Sequence, residues 1–308
     1  MNRRKFLSVT AIASVLPSVY IMGSNHNLTG GINEKKSTGK ITFGVIANIE
    51  NPEEDIKQVR EFGFNHFQAN VKEFTPEMAK RIVDACKKYD VSPVALICMG
   101  PEPYVWNPVD GPSTIGLVPR KYRTERIQHL KDGIDFCKES GFPAVLAHFG
   151  FIPENPKDEL YLEFIDLMKG IAQYALKAGI DIYFETGQET PVTLLRTIED
   201  IGTSNLFVNL DVGNLLLYGT ANPLDGLRIL EKYVKSLHAK DADYPTNPHQ
   251  LGQEYPIPEG KVNFPKIISR LKNNNFNGCV VIENELSANS KAYLQKTKIY
   301  LESLINKA

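Results

Sequence analysis

The sequence predicts one α/β domain folded as a closed (β/α)8 TIM barrel, and three observations carry that prediction. The chain has 308 residues, 42% of them hydrophobic, enough to bury the core of a barrel that takes roughly 250 residues. Eight short apolar or β-branched runs alternate with eight amphipathic stretches of helical length, the pattern of repeated βα units on a parallel sheet. No Gly-x-Gly-x-x-Gly follows any of these runs, which argues against an open dinucleotide-binding sheet.

The elements follow in order from residue 40. Strands are expected at 41–47, 65–69, 92–98, 144–148, 181–185, 206–211, 234–239 and 278–283. Helices are expected at 53–62, 76–89, 123–140, 160–178, 190–201, 223–231, 264–273 and 288–305. Gly63, Gly141 and Gly179 stand just past three of the helices, where a left-handed C-cap asks for glycine. Two connections are long and rich in Gly and Pro: 99–121 after the third strand and 241–262 after the seventh. Both leave strand C-termini, the face on which barrels assemble their sites, and read as candidate lids.

Ahead of the domain, residues 1–23 read as an export signal. Arg3, Arg4 and Lys5 make a basic start with paired arginines, and the apolar run 9–22 follows, interrupted only by small or hydroxyl residues and Pro17. The run falls short of the about 20 residues a membrane span needs. The expectation is therefore a twin-arginine-like signal, a periplasmic location and no stable membrane insertion once the signal is removed. Residues 24–39 read as a polar linker and 40–308 as the barrel domain.

Lys and Arg total 35 against 36 Asp and Glu, a formal charge of −1 that becomes −4 once the three charges of Arg3, Arg4 and Lys5 are removed. That near balance leaves no electrostatic footprint for nucleic acid or an acidic membrane surface, and favours a small neutral or weakly charged ligand. Cys86, Cys98, Cys137 and Cys279 show neither a Cys-x-x-Cys nor a zinc-ribbon spacing and fall inside apolar patterns, so they read as packing residues.

Four runs end in an ionisable residue: Tyr183-Phe184-Glu185, Val208-Asn209-Leu210-Asp211, Ser236-Leu237-His238 and Val281-Ile282-Glu283. One strand-end carboxylate is commonly a helix cap or a solvated loop residue. Four on the last four strands of one parallel barrel open on the same mouth, so residues up to about a hundred positions apart converge. Three carboxylates with one imidazole make a hard, oxygen-rich donor set that suits a divalent metal ion. Mn²⁺ is the favoured ion, with Mg²⁺, Co²⁺ and Zn²⁺ left open.

Other residues admit two readings each. His148, ending the fourth run in Val-Leu-Ala-His-Phe-Gly, faces either a ligand or the core. Trp106, the single tryptophan, lies beside Tyr104 in the first long connection and stacks either on a bound ligand or on its own loop. Lys240 and Asp241 follow His238 and either orient substrate or water, or form a paired loop start. His249 and Glu254, in the second long connection, read as solvated.

With these residues in view, the chain resembles the xylose-isomerase-like barrel superfamily, which includes sugar phosphate isomerases, ketose 3-epimerases, inosose dehydratases and a three-zinc abasic-site endonuclease. The matching stretches are Phe-Glu-Thr at 184–186, Leu-Asp-Val-Gly-Asn at 210–214, Leu-His-Ala-Lys-Asp at 237–241, Glu-Gly-Lys-Val-Asn-Phe at 259–264 and Val-Ile-Glu-Asn-Glu at 281–285. The resemblance runs from residue 40 to the end. It implies that Glu185, Asp211, His238 and Glu283 hold the metal, and that Glu185 and Glu283 form an acid/base pair on opposite faces of the substrate. It also implies a homo-oligomer, since relatives often associate as dimers or tetramers, although no stretch of the sequence displays an interface.

Two positions depart from the pattern. Relatives often carry a histidine three residues after the strand-six aspartate, where this chain has Asn214, and a glutamate at the end of strand two, where it has Gln68. Both are read as substrate-binding groups rather than ligands of further metals. With six histidines in the whole chain and no basic surface signal, a three-zinc role in DNA repair is set aside.

Three functions remain in competition. The first is a metal-dependent isomerase or epimerase acting on an unphosphorylated sugar or keto-sugar. Export from the cytosol, where sugar phosphates reside, disfavours a phosphorylated substrate. The second is a carbon–oxygen lyase or hydratase acting on a 3-keto-sugar or cyclitol in keto-glycoside breakdown. The third is a sugar-binding module without catalysis, which would not require two glutamates at a metal.

Overall fold

The computed structural model describes residues 39–283 and 290–307. The expected export signal, the linker up to residue 38, and Asn284 and Glu285 of the last matching stretch lie outside the described residues. The chain alternates strand and helix as β1 (Ile41–Ile49), α1 (Pro52–Glu61), β2 (His66–Val71), α2 (Pro76–Tyr89), β3 (Ser92–Ile97), α3 (Gly111–Thr114), α4 (Arg123–Ser140), β4 (Ala144–Ala147) and α5 (Glu159–Ala178). It continues as β5 (Asp181–Glu185), α6 (Pro191–Ile201), β6 (Leu206–Asp211), α7 (Val212–Leu217), α8 (Pro223–Leu230), β7 (Val234–Ala239), β8 (Asp241–Ala242), β9 (Glu254–Tyr255), α9 (Phe264–Asn273), β10 (Gly278–Ile282) and α10 (Lys291–Lys307).

Eight parallel strands close into a barrel in the order β1-β10-β7-β6-β5-β4-β3-β2. The seam between first and last strands pairs Ile41 with Gly278 through to Val45 with Ile282. The helices begin where the sequence supplies caps: the Thr75 hydroxyl accepts from the Met78 amide, the Asp158 carboxylate from Leu160 and the Asn222 amide oxygen from Leu224, each such cap being worth about 1 kcal/mol. Gly141, Gly179 and Gly202 end α4, α5 and α6 in the left-handed conformation, where a β-carbon would crowd the preceding carbonyl.

Three features depart from the sequence reading. β1 and β2 run on to Ile49 and Val71 instead of stopping at 47 and 69. The stretch after Asp211 forms the short helix α7, too brief for an apolar period to show. The second long connection contains the β8–β9 ladder, pairing Asp241 with Tyr255 and Ala242 with Glu254.

The apolar residues between strands and helices form one continuous cluster. Inside the barrel the packing is broken into two small clusters, Ala95, Ala144, Leu146 and Tyr183 in one and Val94, Cys279 and Val281 in the other. Polar side chains occupy part of the barrel interior, and they lead to the site.

Candidate metal centre

Strand register builds the site in two layers. Asn209 pairs with Ser236 and, two residues on, Asp211 pairs with His238. Side chains alternate along a strand, so each strand sends both of its residues to one face, one level apart. The upper level holds Asp211 and His238, joined by Glu185 at the end of β5 and Glu283 just past β10. The ligand-capable atoms of these four residues all lie within 4.8 Å of one another. They form a candidate divalent-cation site.

The lower level orients the upper one. Gln68 from β2 is fully buried, and its amide nitrogen donates to Asn209 Oδ1 at 3.1 Å, the same oxygen that takes the Ser236 hydroxyl. The Gln68 oxygen therefore faces His238 Nε2 at 2.5 Å and accepts its proton, an orientation assigned from the network. Nδ1 is left with a lone pair pointing at Glu283 Oε2 at 2.7 Å, Glu185 Oε1 at 3.0 Å and Asp211 Oδ2 at 3.6 Å. His238 Nδ1, Asp211 Oδ2 and Glu283 Oε2 are buried without a well-formed hydrogen bond. Lone pairs converging without protons ask for a cation, because each uncompensated buried charge costs several kcal/mol. The residues present fit a divalent metal ion.

The titration behaviour follows from the same crowding. Burial opposes charge on His238, but Glu185 and Glu283 outweigh it and raise the imidazole well above its ordinary range, so a second proton on Nδ1 is the alternative to a metal ion at this point. Burial likewise opposes the Glu185 carboxylate, yet His148 and His238 pull it well below the usual value. Against burial, Lys240 and His238 hold Glu283 at about 2. Asp211 is raised by burial, which Lys240 only partly offsets. Lys240 Nζ lies 3.0 Å from Glu283 Oε1 and 3.3 Å from Asp211 Oδ2.

Above the cluster opens a cavity of ≈ 560 Å³. Glu185, His238 and Glu283 are among the residues that line it; Asp211, fully buried, is not. His148, Lys240, Asn214 and Trp106 line it. The Trp106 ring meets His148 edge-on at 5.1 Å. His148 holds Gln188 Oε1 at 3.1 Å through Nδ1 and lies 3.4 Å from Glu185 Oε2 through Nε2.

Gln68 is a correction to the sequence reading. It sits beneath the cluster, where it fixes His238 instead of meeting a ligand in the cleft, because the mid-strand register of β2 places it level with Asn209 and Ser236. Asp241 is a loop organiser: its carboxylate accepts from the Ala242, Gly260 and Val262 amides at 3.0, 2.9 and 2.9 Å. His249 is exposed. All four cysteines are thiols, and burial raises each of them.

Several lining residues escaped the sequence reading. Asn48 and Asn70, joined amide to amide at 3.0 Å, stand on the extra residues of β1 and β2. Tyr218 and Leu217 come from α7 and the residue after it, and Leu251 from the second long connection. An available signal was the switch from apolar to amide residues at the ends of the first two runs.

Set against known proteins, residues 56–304 match the model of the xylose isomerase-like TIM barrel family. The chain belongs to that family. A xylose isomerase domain protein from Planctomyces limnophilus superposes with a TM-score of 0.80 at 27% identity, over 87% of this chain and 98% of that one. A D-tagatose 3-epimerase-like protein superposes with a TM-score of 0.68 at 21% identity, over 86% and 98%. An uncharacterised protein of Methanocaldococcus jannaschii is 26% identical over 195 residues, which span 59% of this chain and 64% of that relative's length.

Proposed function

We propose that this chain is a divalent-metal-dependent isomerase or epimerase of an unphosphorylated sugar or keto-sugar. The observation that carries the reading is the ≈ 560 Å³ cavity, with two glutamates and a histidine of the cluster opening into it and amides and aromatic rings on its walls. The Asn48, Asn70 and Asn214 amides suit hydroxyl groups, and Trp106 offers an aromatic face to a sugar ring. Among the described residues no arginine lines the cavity, and Lys240 already sits between Asp211 and Glu283, an arrangement that does not favour a phosphate dianion. The family membership and the likeness to an epimerase-like barrel support the same reading.

Glu185, ionised between two imidazoles, takes a proton from the carbon beside a carbonyl, and Glu283 returns one that it draws from the Lys240 ammonium 3.0 Å away. A divalent cation held by Glu185, Asp211, His238 and Glu283, with Mn²⁺ as our choice among Mn²⁺, Mg²⁺, Co²⁺ and Zn²⁺, would polarise the carbonyl oxygen and acidify that C–H. Gln68 keeps the His238 proton on Nε2, and Gln188 fixes the ring of His148, which can then hold a substrate hydroxyl next to Glu185.

One observation favours a second reading, a lyase or hydratase on a 3-keto-sugar or cyclitol. Lys240 places an ammonium 3.0 Å from Glu283 in the wall of the cavity. Such a group can give a proton to a hydroxyl leaving from the carbon β to the ketone, as Glu185 takes the α proton, and water then departs. From the leader sequence we also propose export to the periplasm, with residues 1–23 as signal, 24–39 as linker and 40–308 as the barrel domain.

The test is mass spectrometry of unphosphorylated sugars, 3-keto-sugars and inososes incubated with Mn²⁺-loaded protein in deuterated water. A new isomer with one deuterium gained supports epimerisation, and gain or loss of water supports the second reading. A panel left unchanged, with metal content untouched in Glu185→Gln, overturns both; sugar binding without turnover would leave a binding module.

A further inference from the structure

We propose that Arg126 is a positioning residue: its buried guanidinium latches the connection between β3 and α4, so that Trp106 stands as a fixed aromatic wall of the cleft. The role given to Trp106 rests on reading the cleft as a sugar site; the latch does not depend on what the cleft binds.

Arg126, in the first turn of α4, is 1% exposed, and among the described residues no carboxylate forms an ion pair with it. Its partners are carbonyl oxygens from both limbs of the connection. On the outgoing limb Nε donates to Pro101 O at 3.1 Å and Nη2 to Pro103 O at 2.9 Å. On the returning limb Nη1 donates to Thr114 O at 2.7 Å and Gly116 O at 2.8 Å. The guanidinium carbon lies 4.9 Å from the ring centre of Tyr104 and 4.6 Å from that of Tyr122. A buried charge would cost several kcal/mol if left unsatisfied, so this one is held by the loop as much as it holds the loop.

The composition of the connection explains why an arginine is needed. Pro101, Pro103, Pro108, Pro112 and Pro119 have no N–H to donate, so the carbonyls of the segment need donors from elsewhere. A planar guanidinium spreads its donors over both limbs, which a compact ammonium cannot do. Contact is close on each limb. Gly100, at φ +85, lies where a β-carbon would meet Arg126 Cγ at 2.9 Å. Gly116, at φ +72, lies where one would meet the Phe149 carbonyl carbon at 2.0 Å.

Between the two limbs, Tyr104 stacks on Arg126, donates its hydroxyl to Gly100 O and packs its ring 6.0 Å from Trp106. Trp106 then meets His148, the neighbour of Glu185. The sequence reading of this connection as a lid thus gives way to a pinned wall, with its ordering cost met on folding and not on binding.

The test uses Arg126→Met, which keeps the aliphatic packing and removes the donors, and Arg126→Lys, which keeps the charge. Hydrogen exchange in 100–118 is expected to quicken by about tenfold or more in Arg126→Met and by less in Arg126→Lys, with β-strand exchange and Mn²⁺ affinity unchanged. Acrylamide quenching of Trp106, the one tryptophan, should rise in step. For any sugar that is turned over, KM should rise while kcat stays within about threefold. Unchanged loop exchange and quenching in either folded variant would overturn the latch, as would uniform acceleration across the barrel, which marks a general stability role. Altered loop exchange with no sugar turned over by the parent protein would sustain the latch and count against the sugar reading alone.

Discussion

The two halves of the barrel serve the cleft in different ways. The strands from β5 to β10 end in every member of the charged cluster, Glu185, Asp211, His238 and Glu283. The half from β1 to β4 sends in Ile46, Asn48, Asn70, Ile97, Met99 and, through its long connection, Trp106, with His148 as its one titratable lining residue. One half gathers charge and the other shapes a wall. A charged cluster works only if its atoms converge to within a fraction of an ångström, which strand ends and buried hydrogen bonds can enforce. A wall needs fit, and a latched loop can supply it. Gln68 crosses between the halves: it belongs to β2 yet holds His238 of β7.

If the division is right, substitutions in the charged half should reduce turnover and those in the wall half should weaken binding. The largest effect is expected for Glu185→Gln and Glu283→Gln, each lowering kcat for a turned-over sugar by about 10²–10⁴ with KM little changed. A loss confined to KM would erase the contrast. Gln68→Leu, which removes the crossing bond, should weaken Mn²⁺ binding by about 10–100-fold in isothermal titration; unaltered affinity would show that His238 needs no support from β2. Trp106→Ala should raise KM by about threefold to tenfold and leave kcat near its parent value.

The smallest effect concerns Glu189, a carboxyl of the charged half outside the cluster. Burial pushes it up from 4.5 to about 8, although a bond to its own backbone and the proximity of His148 pull the other way. The folded state therefore keeps a proton that the unfolded chain gives up, and this group's contribution to stability falls as pH rises from about 4.5 to about 8. Glu189→Gln should raise Tm by a few degrees at pH 8 relative to the parent, and show less or no gain at pH 4.5. Parallel melting curves of the two proteins over this range would refute the assignment.

Much of the charged half was legible in the sequence, and much of the wall half was not. Glu185, Asp211, His238 and Glu283 each follow an apolar run, and in a parallel barrel strand ends share one mouth, so one-dimensional position stands in for proximity. Asn48 and Asn70 were missed because the strands outrun their apolar stretches by two residues. Tyr218 and Leu217, wall residues that the charged half contributes through α7, were missed because a six-residue helix shows no period. Arg126 carries no signal in the sequence, since nothing local distinguishes a solvated arginine from one whose partners lie 10 to 25 residues away in a loop.

By itself the sequence determined the alternation of strand and helix, the eight-unit count and the residues at the strand ends, because these follow from periodicity and local caps. The tertiary structure alone decided the register that stacks Asn209 and Ser236 beneath Asp211 and His238, the tautomer of His238 and the fixing of the long connection. Those depend on which atoms meet across the barrel, and such meetings are set by register, alternation and burial acting between segments that no local pattern connects.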